Sequence, residues 1–163
     1  MITNPVASGI SALVANVFSA LQTFTGSISA PAVLTTNIAE VTYLVATAPP
    51  AVTNFYLSNG GIQYYTVATT ANFTLNIALS SSATLNSSLA IGNSIALTLE
   101  ILNGATAYMP TAFQIDGVAF TPKWANASAP TSGNASAIDT YTFVIQKTTA
   151  STYTVLGSQV NYA

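Results

Sequence analysis

Residues 113–120, Phe113-Gln114-Ile115-Asp116-Gly117-Val118-Ala119-Phe120, read as two short strands joined by a two-residue turn. Asp-Gly between alternating apolar residues is a strong hairpin signal, because both turn positions need a positive φ. The same period of two runs outward in both directions. Upstream, Ile95, Leu97, Leu99 and Ile101 alternate with Ala96, Thr98 and Glu100, and Asn103-Gly104 ends that run. Phe73, Leu75, Ile77 and Leu79 alternate with Asn72, Thr74, Asn76 and Ala78. Further back, Phe55 and Leu57 are separated from Ile62, Tyr64 and Tyr65 by Asn59-Gly60-Gly61. Downstream, Tyr141, Phe143 and Ile145 alternate with Thr140, Thr142 and Val144, and Tyr153, Val155, Val160 and Tyr162 finish the chain. Strands at this spacing, with turn residues between them, predict a mainly β fold. The expected architecture is a jelly-roll-like antiparallel β-sandwich of about seven to eight strands over residues 54–163. Residues 80–94 and 125–137 read as polar, small-residue loops, and no helix is expected after residue 26.

The beginning of the chain has a different period. Ala7, Ile10, Val14, Val17, Leu21 and Phe24 fall at spacings of three and four, which predicts a helix with an apolar seam. Asn4-Pro5 is a suitable start and Gly26 a suitable stop. The flanking positions carry no charge. Residues 1–26 are therefore expected to serve oligomerisation or attachment through Ile10, Val14, Val17, Leu21 and Phe24. Packing of that helix against its own domain is the other reading. Residues 27–53 contain Ala30-Pro31 and Pro49-Pro50 with many β-branched residues. They read as an extended arm or linker, or as the first strand of the sandwich.

Composition excludes several function classes. Of 163 residues, two are basic, four are acidic, and none is His or Cys. Charged residues are 4% of the chain, against about 25% in an ordinary soluble domain. Two lysines cannot supply the basic footprint that nucleic acid requires. Imidazole and thiolate metal sites are impossible, as are His-based triads. No cofactor is expected. The longest apolar stretch, Ile10 to Leu21, is shorter than the 20 or so residues of a spanning helix. Met1 to Pro5 lacks the basic region of a secretory signal. Four Asn-X-Ser/Thr triplets follow from a composition rich in Asn, Ser and Thr. A chain with so little charge keeps its surface wetted by hydroxyls and amides, covered by other subunits, or both.

Few residues are left to carry chemistry. Asp116 sits in the Asp-Gly turn, where backbone preference explains it. Glu100 occupies a polar position of a strand. Asp139 and Lys147 flank the Tyr141–Ile145 strand and are expected to cap its ends. Lys123 stands beside Trp124, where a cation–π contact or a ligand site is conceivable. Tyr108, Trp124 and Tyr153 are the aromatics that would form exposed ligand contacts. A catalytic set is not expected, and neither is a metal site.

The C-terminal part also carries a resemblance. Gly104-Ala105-Thr106-Ala107-Tyr108, Gln114-Ile115-Asp116-Gly117-Val118 and Pro122-Lys123-Trp124 form one cluster. Ala129-Pro130-Thr131-Ser132-Gly133-Asn134, Ile138-Asp139 and Tyr141-Thr142-Phe143 form the next, and Tyr153 to Gln159 closes the series. This order resembles a C-terminal module of virion structural proteins of tailed bacteriophages, especially those of cyanobacteria and marine bacteria. The likeness spans about residues 62–162. It departs at Ala125-Asn126, where the pattern usually has Gln and a Gly-Gly turn. The resemblance implies a small, usually trimeric β-sandwich displayed on the virion surface. The expected function is therefore a non-enzymatic virion protein, a short tail fibre or adhesin whose partners are its own copies, other virion proteins and a host surface glycan. A capsid decoration protein bound to the capsid lattice is the alternative. A secreted carbohydrate-binding module is the second, and Tyr108, Trp124 and Tyr153 on one exposed platform would support it.

Overall fold

Among the described residues ten strands in two facing sheets enclose an apolar core. The computed structural model describes residues 40–163. The expected helix with Ile10, Val14, Val17, Leu21 and Phe24, and residues 27–39, lie outside the described residues. The strands are β1 (Thr42–Val45), β2 (Val52–Tyr56), β3 (Ile62–Tyr65), β4 (Phe73–Ala78), β5 (Ser94–Leu102), β6 (Pro110–Ile115), β7 (Val118–Ala119), β8 (Lys123–Trp124), β9 (Ile138–Thr149) and β10 (Thr152–Tyr162). One sheet has the order β1-β3-β5-β9-β10-β8 and the other β2-β4-β6-β7.

The sandwich is as expected, but its winding is not that of an antiparallel jelly roll. The first six strands alternate between the sheets. As a result β1, β3 and β5 pair in parallel in one sheet, and β2, β4 and β6 pair in parallel in the other. Parallel neighbours need a long crossover, and here each crossover is itself a strand of the opposite sheet. Period-two alternation is blind to this, because it gives the buried face of a strand and not the direction of its neighbour. Antiparallel pairing joins β5 with β9, β9 with β10, and β6 with β7, while the short edge strand β8 lies parallel to β10.

The boundary expected at residue 54 also moves. Residues 42–45 pair with β3, and Val52 and Thr53 pair with β4, so the sheets begin within the segment read as an arm or linker. The first-strand reading applies from Thr42 onward, and the described residues 40–163 belong to one compact unit. A second correction concerns residues 80–94. They contain one helical turn, α1 (Leu85–Ser88), whose N-cap Thr84 accepts a bond from the Ser87 N–H at 3.1 Å. Four residues are too few to show a helical period in sequence.

The core follows from the alternation. Phe55, Leu75, Ile77 and Ile115 of the smaller sheet face Leu97, Leu99, Ile101, Tyr141, Phe143, Ile145 and Val155 of the larger, and all are buried. Phe113 meets Phe143 across the gap at 5.7 Å between ring centroids, and Trp124 meets both, at 5.5 and 5.9 Å. Among the described residues no helix is long and apolar enough to cross a membrane.

Tyr141 gives the core an alkaline limit. Burial raises its hydroxyl pKa well above the ordinary value, and the nearby Asp139 charge raises it further. The unfolded chain loses that proton near pH 10 while the folded chain keeps it, so stability is complete below pH 10 and falls above it. Tyr65, also raised by burial, adds to the effect. Urea unfolding at rising pH should show a falling free energy from about pH 10 upward, and Tyr141→Phe should flatten that fall.

Candidate functional site

The Asp116-Gly117 turn forms as its sequence requires. Both residues have positive φ, 52° and 79°, and Ile115 pairs with Val118 across the turn. This aims the Asp116 carboxylate at α1. Oδ1 accepts the Leu85 N–H at 2.7 Å and Oδ2 accepts the Asn86 N–H at 2.8 Å. Two N–H groups that a helical turn leaves open are thereby satisfied by a negative charge. At the other end of the turn, Lys147 Nζ donates to the carbonyls of Asn86 at 2.5 Å and Leu89 at 2.9 Å. The α1 turn is thus fastened at one end by an acid and at the other by a base.

Asn86 carries the arrangement on to the β9–β10 turn. Its Nδ2 donates to Ser151 Oγ at 3.0 Å, and its Oδ1 accepts the Ser151 N–H at 3.1 Å and the Tyr153 hydroxyl at 3.4 Å. Ser151 needs this support, since its φ of 60° is costly for a residue with a side chain. Between the two turns lies a cleft of about 360 Å³, lined by Asn86, Asp116, Ser151 and Tyr153 together with Val118 and Phe120. Val118 is 70% exposed at the rim. Burial raises the Tyr153 hydroxyl pKa, and the Asp116 charge adds to the rise, so the phenol is a neutral donor and acceptor at physiological pH. A cleft lined by both hydrogen-bonding groups and hydrocarbon has the mixed chemistry that a small polyhydroxylated ligand presents. Asn86→Ala should cost about 1–2 kcal/mol in urea unfolding, because it releases the Ser151 turn and leaves Tyr153 without its partner.

The three aromatics expected as ligand contacts are not brought together. Tyr153 lines this cleft. Trp124 is half-buried against Phe113 and Phe143, so its faces serve the core, with one edge reaching neighbouring grooves. Tyr108 contributes its backbone: its N–H donates to Asn103 Oδ1 and its carbonyl accepts from Asn103 Nδ2, both at 3.1 Å. Lys123 is exposed on the outward face of β8 while Trp124 turns inward, so the two side chains do not stack.

Asp139 and Lys147 do not cap strand ends. Both lie within β9, buried at 0% and 7% exposure. Asp139 accepts Asn103 Nδ2 at 3.0 Å, the Asn134 N–H at 2.9 Å and Asn134 Nδ2 at 2.6 Å. Asn103 also accepts a bond from the Thr69 hydroxyl. A Cβ on Gly133 would collide with the Tyr108 carbonyl, so only glycine lets the loop pass over this network. Asn103 and Asn134 stand in sequence as Asn103-Gly104 and Gly133-Asn134, which signal turns and gave no hint of a buried cluster. Among the described residues no group of three or more acidic side chains gathers where a metal ion could be held.

Comparison of the chain with family models, with curated proteins and with solved structures gave no match.

Proposed function

We propose that this chain is a non-enzymatic structural protein of a tailed-phage virion, acting as a short tail fibre or adhesin. Its β-sandwich forms a knob on the particle surface, assembled as a homotrimer with the expected N-terminal seam toward the virion. One observation carries the structural part of this reading. Asp116, Asp139 and Lys147 are spent on holding backbone or loops, with two carboxylate oxygens and one ammonium bonded to α1 and a buried carboxylate bonded to Asn103 and Asn134. Those three groups are half of the acidic and basic side chains in the chain. The resemblance of residues 62–162 to phage virion modules supports the location.

The cleft beside Asp116 favours the adhesin over the decoration role, since a host glycan offers hydroxyls for Asn86, Ser151 and Tyr153 and a hydrocarbon ring face for Phe120 and Val118. The carbohydrate-binding-module reading lacks the support of one shared aromatic platform, since Trp124 and Tyr153 line different grooves. Gold-labelled antibody against residues 40–163 tests the proposal on intact particles by electron microscopy. Label at the tail tip is the expected result. Label spread over the capsid would replace the adhesin with a decoration protein, and label on neither would overturn the virion reading.

A further inference from the structure

The cleft beside Asp116 carries charge of one sign. Asp116 is the acid among the side chains that line it, and neither lysine of the chain is among them. Lys147 is 7% exposed at the far end of α1, with its ammonium given to the carbonyls of Asn86 and Leu89. Lys123 stands on β8, and the chain has no arginine. The Asp116 charge is felt inside the cleft: it adds to the rise that burial causes in the Tyr153 hydroxyl pKa. The bonds already made leave a definite capacity for more. Each Asp116 oxygen accepts one N–H from α1, and a carboxylate oxygen has room for a second donor. Ser151 Oγ accepts from Asn86 Nδ2, which leaves the hydroxyl hydrogen of Ser151 to give. Tyr153 gives its hydrogen to Asn86 Oδ1 and keeps its oxygen as an acceptor.

We propose that this cleft takes uncharged, hydroxyl-rich sugar units and discriminates against acidic ones, with Asp116 as the residue that sets the preference. Under the adhesin reading, on which this rests, the host glycan is then neutral at the unit that enters the cleft. A sugar hydroxyl both donates and accepts, so one hydroxyl can serve Asp116 while another receives the Ser151 hydrogen. An ionised carboxylate on the ligand only accepts. It offers Asp116 no donor and sets a second negative charge beside the first, with no base lining the cleft to offset it. The hydrocarbon of Val118 and Phe120 replaces water around the two charges, so their repulsion is screened less than in open solvent. Specificity of this kind comes from the unfavourable pairing as much as from the favourable one.

Titration of the isotope-labelled full-length chain, followed by NMR at the backbone amides of Gly117, Ser151 and Tyr153, provides the test. The probes are methyl glycosides of the gluco, galacto and manno series, each as the hexose and as the matching uronic acid. The two members of a pair differ by a hydroxymethyl group against a carboxylate. The expected result is that at least one hexose shifts these amides, and that its uronic acid binds about fivefold or more weakly at low salt. Added salt should narrow the difference, since screening weakens the repulsion. Val118→Lys places a cation at the exposed rim without touching the bonds of Asp116, and should bring the uronic acid to at least the affinity of the hexose. A uronic acid that binds the unaltered chain as tightly as its hexose would overturn the charge selection and leave the adhesin reading standing. A preference unmoved by both salt and Val118→Lys would overturn it too. Amides unmoved by every probe would overturn the sugar site itself, and with it the support that the cleft gives the adhesin.

Discussion

Asp139→Ala is expected to lower the unfolding free energy by about 3–4 kcal/mol, one of the largest effects of any single change in the sheets. The carboxylate is fully buried and three donors converge on it. Removing it strands the Asn134 N–H and side chain and takes one of the two acceptors from Asn103 Nδ2. The loss reaches beyond β9, because Asn103 fixes the 103–108 loop through Tyr108 and receives the Thr69 hydroxyl. Asp139→Asn keeps the shape but turns an amide donor toward existing donors, and should recover less than half of the loss. Urea unfolding of the three proteins at neutral pH measures this. A cost below about 1 kcal/mol for Asp139→Ala would show that water replaces the carboxylate and that the network is not buried as described.

Phe143→Ala should cost about 3–5 kcal/mol, in the range of large aromatic truncations in a packed core. Phe143 is fully buried at the centre of β9 and its ring touches both Phe113 of the opposite sheet and Trp124 of the edge strand. The cavity would open between the two sheets, where neither can close without moving the other. Phe143→Leu should cost less, about 1–1.5 kcal/mol, since most of the volume remains. The near-ultraviolet circular dichroism of Trp124, the single tryptophan, should weaken in step with the loss of stability. A full-strength tryptophan signal in Phe143→Ala would place Trp124 outside the inter-sheet cluster.

Alternation made the inward faces legible. Phe73, Leu75 and Ile77, Leu97, Leu99 and Ile101, and Tyr141, Phe143 and Ile145 all enter the core as their period requires. The Asp116-Gly117 hairpin formed where its dipeptide stands. The parallel winding was not legible, because β1 to β6 owe it to which sheet each strand joins, and side-chain parity does not record that choice. The inward positions of Asp139 and Lys147 are present in the sequence as parity. They share the parity of Tyr141, Phe143 and Ile145, so an inward position follows once β9 is allowed its full length from Ile138 to Thr149. Their charge argued for strand ends, but buried charges are tolerated where hydrogen-bond partners surround them. Those partners, Asn103, Asn134 and the carbonyls of Asn86 and Leu89, come from distant loops. The cleft depended on the same kind of long-range meeting, since Asn86 and Ser151 are 65 residues apart.

The proposed place of this chain is within a virus particle. The most direct measurement is quantitative mass spectrometry of tailed-phage particles purified by density gradient from lysates in which the chain is produced. As a virion component the chain should copurify with the major capsid and tail proteins at a fixed copy number per particle. Its recovery only in the soluble fraction of the lysate, with none in the particle band, would overturn the virion role.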